Sequence, residues 1–193
     1  MENNAIILDY LPLGHPKSKK NKPIAQAIGT DYFTLLELIP KKGVDLKINE
    51  TVYIGKGKRD KIFRVLGKLN GENLTKTSRI ESDYAIKDIV NANEQKYVTF
   101  FNTAGGITLT LHQLGLLPGI NSTMVNKLLK ERKIKKFDSF EDIKERVPSV
   151  KNPQNKIAEK IKEELGIIPL KKRHMFRLFT EAPNKKSKKE YVQ

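Results

Sequence analysis

The sequence predicts an α+β chain, with a small β-barrel at the N-terminus followed by an all-α domain built from two helical hairpins. Three observations predict it. Between Pro23 and Leu69, short β-branched and aromatic runs alternate with turn formers. From Ser82 onward, apolar residues recur at helical spacing. The block Leu117-Pro118-Gly119-Ile120 is echoed about thirty residues later by Val147-Pro148-Ser149-Val150.

Ala5 to Leu11 reads as the first strand, and Pro12 to Pro23 as a loop carrying Lys17, Lys19, Lys20 and Lys22, either a solvated linker or a basic arm. Ile24–Ile28 and Tyr32–Ile39 flank the turn Gly29-Thr30-Asp31. Thr51–Ile54 and Ile62–Leu69 flank Gly55 to Lys61, read as a second hairpin. Strands of this length and spacing fit a small barrel, OB-like first and SH3-like second. Tyr32, Phe33, Tyr53 and Phe63 fall on strands, where they serve either base stacking or the core; for each one alone the core is the better reading. Gly55-Lys56-Gly57-Lys58 lacks the GxxxxGK[ST] spacing and the following helix of a P-loop. Its Lys56, Lys58 and Arg59 instead form a basic tip, merely solvated or set to neutralise phosphates.

The helical part begins with apolar stripes at Tyr84, Ile86, Ile89 and Val90 and at Tyr97, Val98, Phe100 and Phe101, divided around Asn91-Ala92-Asn93. Gly105-Gly106 marks a boundary, and Ile107 to Leu117 reads as the first helix of the first hairpin. Pro118 stops that helix, Gly119 accepts positive φ, and Asn121 or Ser122 caps the next helix. Amides at the turn and first helical residues, at the positive end of a helix dipole, form a phosphate site. Its residues are Gly119, Ile120, Asn121, Ser122 and Thr123, with Lys127 and Lys130 adding charge. The block resembles the helix-hairpin-helix motif, with Asn121 in place of its second glycine; the plain alternative is an αα-corner between core helices. In the second copy Ser149 replaces glycine, Lys151-Asn152-Pro153 lengthens the turn, and Gln154 to Leu165 forms the closing helix. Asp138 with Glu141 reads as a capping-box start to the helix between the copies.

The resulting division is a barrel over 1–80, connecting helices over 81–106 and tandem hairpins over 107–166. A return segment over 167–180 is expected as a strand against the barrel, and 181–193 as a disordered basic tail.

The 193 residues carry a formal charge of +15, which calls for a polyanionic partner, nucleic acid ahead of an anionic membrane face. Residues 1–104 hold seventeen basic and twelve acidic side chains and 105–193 twenty and ten, so the excess follows the hairpins. No cysteine is present, which excludes disulfides and thiolate chemistry and fits the cytoplasm. Neither a signal peptide nor a membrane span is expected. His15, His112 and His174 share no ligand spacing, and no metal, cofactor or catalytic serine motif presents itself.

Phe100-Phe101-Asn102, Leu117-Pro118-Gly119-Ile120 and the run from Phe137 to Val147 resemble an archaeal family of uncharacterised proteins, the resemblance covering about residues 5–180. That resemblance implies an OB-like domain followed by paired helix-hairpin-helix motifs, and nucleic-acid or RNA binding inferred from those folds. The expected function is non-enzymatic, largely sequence-independent binding of nucleic-acid backbone, RNA slightly ahead of DNA, with no cofactor. The alternatives are an assembly factor docking proteins of translation or ribosome-related complexes, and a nuclease whose catalytic part is unrecognised.

Overall fold

A computed structural model describes residues 2–15, 22–169 and 176–180, and the chain is mixed α+β. It divides into two compact units, one centred on Met1–Ser82 with Glu164–Ile167 and the residues after Phe176, the other on Asp83–Glu163.

In the first unit, β1 (Asn4–Leu11), β2 (Ile24–Gly29), β3 (Leu35–Pro40), β4 (Thr51–Tyr53) and β5 (Ile62–Lys68) form one antiparallel sheet in the order β4-β1-β2-β3-β5. Alternation places Ala5 and Ile7, Ala25 and Ala27, and Leu36 and Leu38 on one face, where Leu46, Val52, Ile54 and Ile62 complete the core. The two edge strands, β4 and β5, are consecutive in the chain, so the short link between them joins opposite edges of the sheet. The sheet therefore curls into a half-barrel whose edges do not pair. The expected hairpin over Gly55–Lys61 is corrected accordingly, because its flanking strands are not neighbours.

The expected strand from Tyr32 begins only at Leu35, because Phe33 takes φ +57° and turns its ring fully into the core. Buried Glu2 holds that turn, its carboxylate accepting the amides of Asp31, Tyr32 and Thr34 at 2.9, 3.1 and 3.0 Å. Two further buried polar side chains seat the start of helix α1 (Lys76–Ala92). Gln26 accepts from Thr75 N and donates to Asn73 O, while the Thr75 hydroxyl donates to Asp9 at 2.6 Å and accepts from Ser78 N.

Glu164 gathers the last described residues, accepting Leu178 N, Phe179 N and Thr180 N at 2.7–3.1 Å. Residues 176–180 form no strand, in contrast to the expected return strand. The remainder of that expectation at 170–175, and the tail at 181–193, lie outside the described residues.

The second unit takes the end of α1 and adds α2 (Glu94–Thr103), α3 (Ser122–Ile134), α4 (Phe140–Arg146) and α5 (Pro153–Glu164). The expected break between the first two helices falls at Asn93. Tyr84 lies outside the buried stripe, at 58 % exposure, and the stripe is carried by Ala85, Ile86, Ile89 and Val90. The segments containing Phe101-Asn102 and Phe137–Phe140 are bonded to each other. The Asn102 amide exchanges two 2.8 Å bonds with the backbone of Phe137, and Glu94 accepts Phe140 N at 2.6 Å. Ser139, not Asp138, caps α4, its hydroxyl accepting Asp142 N at 3.0 Å, while the Asp142 carboxylate reaches back to Asp138 N. The capping box is thus shifted by one residue.

The expected helix over Ile107–Leu117 is also corrected. Those residues form a tight loop closed by a Gly106–His112 bridge, followed by a single 3-10 turn, Gln113–Leu116. The Thr108 hydroxyl accepts the amides of Thr110 and Leu111, and His112 Nδ1 accepts that of Leu114. These local side-chain bonds satisfy the backbone without a helix.

Arg146 fastens the end of α3. Its guanidinium donates to Glu131 O at 2.6 Å and Lys135 O at 2.8 Å, contacts the carboxylates of Glu131 and Asp142, and stacks 4.6 Å from the Phe137 ring centroid. Lysine has no planar fork to reproduce this set. Arg146→Lys is therefore expected to lower the unfolding free energy by about 2–3 kcal/mol in urea titrations. A change within about 0.5 kcal/mol, the usual range for an unimportant surface substitution, would show that the clamp contributes nothing.

Candidate nucleic-acid interface

The Gly119 turn is built by its own residues. Ile120 N donates to Leu117 O at 3.1 Å, Pro118 occupies the second position, and Gly119 at the third takes φ +74°, the pattern of a type II turn. Leu117 and Ile120 bury their side chains on either side, anchoring the turn to the core. Asn121 is extended, with φ −98°, and caps α3 by accepting Met124 N at 3.0 Å through Oδ1. The position thus calls for a capping side chain, and positive φ plays no part in it.

Of the five expected amides, that of Ile120 is already used inside the turn, so Ile120 contributes an anchor in place of a donor. The amides of Gly119, Asn121, Ser122 and Thr123 have no acceptor among the described residues, and all four residues are exposed. Lys127 and Lys130 stand exposed on α3 with no ion pair among the described residues.

A third lysine joins them that the sequence reading missed. A Cβ placed on Gly119 would lie 2.7 Å from Nζ of Lys156, so this ammonium from α5 rests directly over the glycine. No local pattern marks Lys156, which reaches the turn only through the packing that brings α5 beside it. His112, in contrast, is no cation here. Burial, then the nearby Arg132 charge, hold its imidazole below the ordinary histidine range, and it serves as an acceptor.

The second turn repeats the first in part. Val150 N donates to Val147 O at 2.8 Å, and Val147 and Val150 are buried just as Leu117 and Ile120 are. Ser149 does not take positive φ; the left-handed residue is Asn152, at +49°. Pro153 opens α5 and has no N–H to present where Ser122 presents one in the first copy.

The other expected residues, Lys56, Lys58 and Arg59, lie together in the β4–β5 link, on the first unit, so the two expected groups occupy different units. The link folds back over Tyr53, whose hydroxyl accepts Gly57 N at 3.1 Å, and Arg59 Nε donates to Gly55 O at 2.9 Å. A Cβ at Gly55 would sit 2.4 Å from the Tyr53 hydroxyl, so any larger residue there displaces the tyrosine ring. Of the four aromatics expected on strands, Phe33 is in the core, whereas Tyr53 is 39 % and Phe63 is 69 % exposed. Strict alternation from buried Ile62 would have placed Phe63 outward.

Among the described residues, no group of His, Asp and Glu is placed to hold a metal ion, and no helix is long and apolar enough to cross a membrane.

Nearly the whole chain is similar to archaeal proteins. The family model described as a protein of unknown function, DUF655, matches residues 1–181. The chain belongs to this family. An uncharacterized protein of Methanocaldococcus jannaschii, MJ0038, is 45 % identical over 175 residues, which is 91 % of this chain and 79 % of that one. The crystal structure of Af1531 from Archaeoglobus fulgidus, assigned to the same family, superposes with a TM-score of 0.83 at 40 % identity, covering 93 % of this chain and all of that one.

If the Gly119 turn holds phosphate, the two turns respond differently to substitution. Gly119→Val forces a β-branched residue to positive φ and displaces Lys156, and is expected to weaken nucleic-acid binding at least tenfold. Ser149→Ala removes a buried hydroxyl that has no partner among the described residues, and leaves affinity unchanged. Equal losses in two folded variants, read by fluorescence anisotropy, would place the second turn in the interface as well.

Proposed function

We propose that this protein binds nucleic-acid backbones without catalysing a reaction on them, RNA being the first partner to assay and DNA the second. The observation that carries this reading is the Gly119 turn: free amides at the start of a thirteen-residue helix, with the Lys156 ammonium over the glycine. A phosphate placed there meets N–H donors, the positive end of the helix dipole and a cation together. Lys127 and Lys130 continue the positive surface along α3.

The paired Leu117–Ile120 and Val147–Val150 turns, each followed by a helix, support reading the second unit as tandem helix-hairpin-helix motifs with one active copy and one structural copy. The five-stranded half-barrel supports an OB-like reading of the first unit, with the β4–β5 link as its basic loop. The donors are amides and ammonium groups, which position a duplex or strand by its phosphates and carry no base code. Binding is therefore largely independent of sequence. A cytoplasmic setting beside RNA-containing assemblies fits this chemistry.

Backbone binding has a salt signature. With about six phosphate contacts, log affinity falls linearly with log salt, and affinity drops roughly 10³-fold between about 50 and 200 mM. Anisotropy titrations of labelled RNA and DNA across that range read the slope. A flat response accompanied by strong base preference would overturn the reading, and cleavage of the probe on adding divalent metal would assign an enzymatic role instead.

A further inference from the structure

The half-barrel carries a feature that phosphate binding alone leaves unexplained. An open groove of about 320 Å³ is lined by Lys41, Lys56, Lys58, Arg59, Ile62 and Phe63, together with Gly57. Its cations outnumber its carboxylates, since no acidic residue lines it, and Lys41, Lys56 and Lys58 have no ion pair among the described residues. An aromatic ring 69 % exposed beside them is costly to leave in water.

The exposure of Phe63 is built into the strand. In the β3–β5 ladder Ile39 pairs with Arg64 and Pro40 with Ile62, so Phe63 is passed over; Leu38 pairs with Val65 and Glu37 with Gly67, so Leu66 is passed over too. Each is a bulge, and bulges re-aim a side chain out of the ladder. The two skipped residues are the two large apolar side chains that β5 exposes.

We propose that this groove is a second, separable site that takes single-stranded nucleic acid, with an unpaired base stacked on Phe63 and the flanking phosphates held by Lys41, Lys56, Lys58 and Arg59. The occupant follows from the pairing of chemistries. An unpaired base supplies the flat π-face that a lone exposed ring accepts, and its phosphates supply the anions that the lysines lack. A duplex keeps its bases stacked internally and offers the ring nothing. The inference rests on the nucleic-acid reading above and adds the strandedness that this unit selects.

The test compares the full chain with Phe63→Ala and Phe63→Tyr, using labelled single strands of about 12 nucleotides, RNA and DNA, and the matching duplexes. Phe63→Ala is expected to weaken single-strand binding roughly tenfold, Phe63→Tyr to preserve it, and both to leave duplex binding and its salt slope unchanged. Unaltered single-strand affinity in Phe63→Ala, or equal losses on single strand and duplex, overturns the proposal. Gly119→Val, measured alongside, separates the two readings. Duplex affinity that falls with Gly119→Val while Phe63→Ala changes nothing overturns this site alone. A wild-type chain that binds neither single strand nor duplex overturns the parent reading and this one with it.

Discussion

The second unit depends on how the far end of α3 is held. That helix carries the Gly119 turn at its start, and its finish is held by Arg146, which adds a second donor to the Glu131 carbonyl, already bonded to Lys135 N, and supplies one to the Lys135 carbonyl. The same guanidinium lies on Phe137, whose backbone is paired with Asn102 of α2. One side chain therefore joins the end of α3, the end of α4 and the segment between them. With both ends of α3 defined, by Asn121 at one and Arg146 at the other, the amides at the Gly119 turn point in a fixed direction.

Arg146 is one case of a wider division of labour. Arg59 donates to Gly55 O, Arg79 to Gly71 O and Ile167 O, and Arg132 to Phe101 O. Planar five-donor side chains are thus used inside each unit to satisfy backbone carbonyls. The exterior charge around both candidate sites is left mostly to lysines. An ammonium is a compact, hydrated point charge that attracts phosphate without demanding one geometry. A surface of that kind favours strength and speed of encounter over discrimination between sequences.

Local chemistry made much of the fold legible. Apolar runs bounded by turn formers located β1, β2, β4 and β5, and the Asn91–Asn93 cluster located the break between α1 and α2. The failures come from competition that composition does not display. Ile107 to Leu117 reads as a helix that Pro118 stops, yet Thr108 and His112 satisfy the local amides and Leu109 ends fully exposed. Residues Gly55–Lys61 look like a hairpin because nothing in the residues themselves reveals that β4 pairs with β1 and β5 with β3. The Gly119 turn could be read in place because its geometry is local, whereas Lys156 arrives from about forty residues away and only packing brings it there. Phe63 falls between these cases, since alternation pointed it outward but the bulge that sets its exposure is a property of the pairing with β3.

Asn121 has a consequence for how such turns are recognised. Glycine at that position in related turns is easily taken as a conformational requirement, but here the residue is extended and acts by accepting Met124 N. Only the glycine at 119 is demanded by the backbone. A search pattern with two obligatory glycines would discard this chain. One that keeps Pro-Gly-apolar and admits any good helix-capping residue next would retain it, because serine, aspartate and asparagine all cap a helix at such a position.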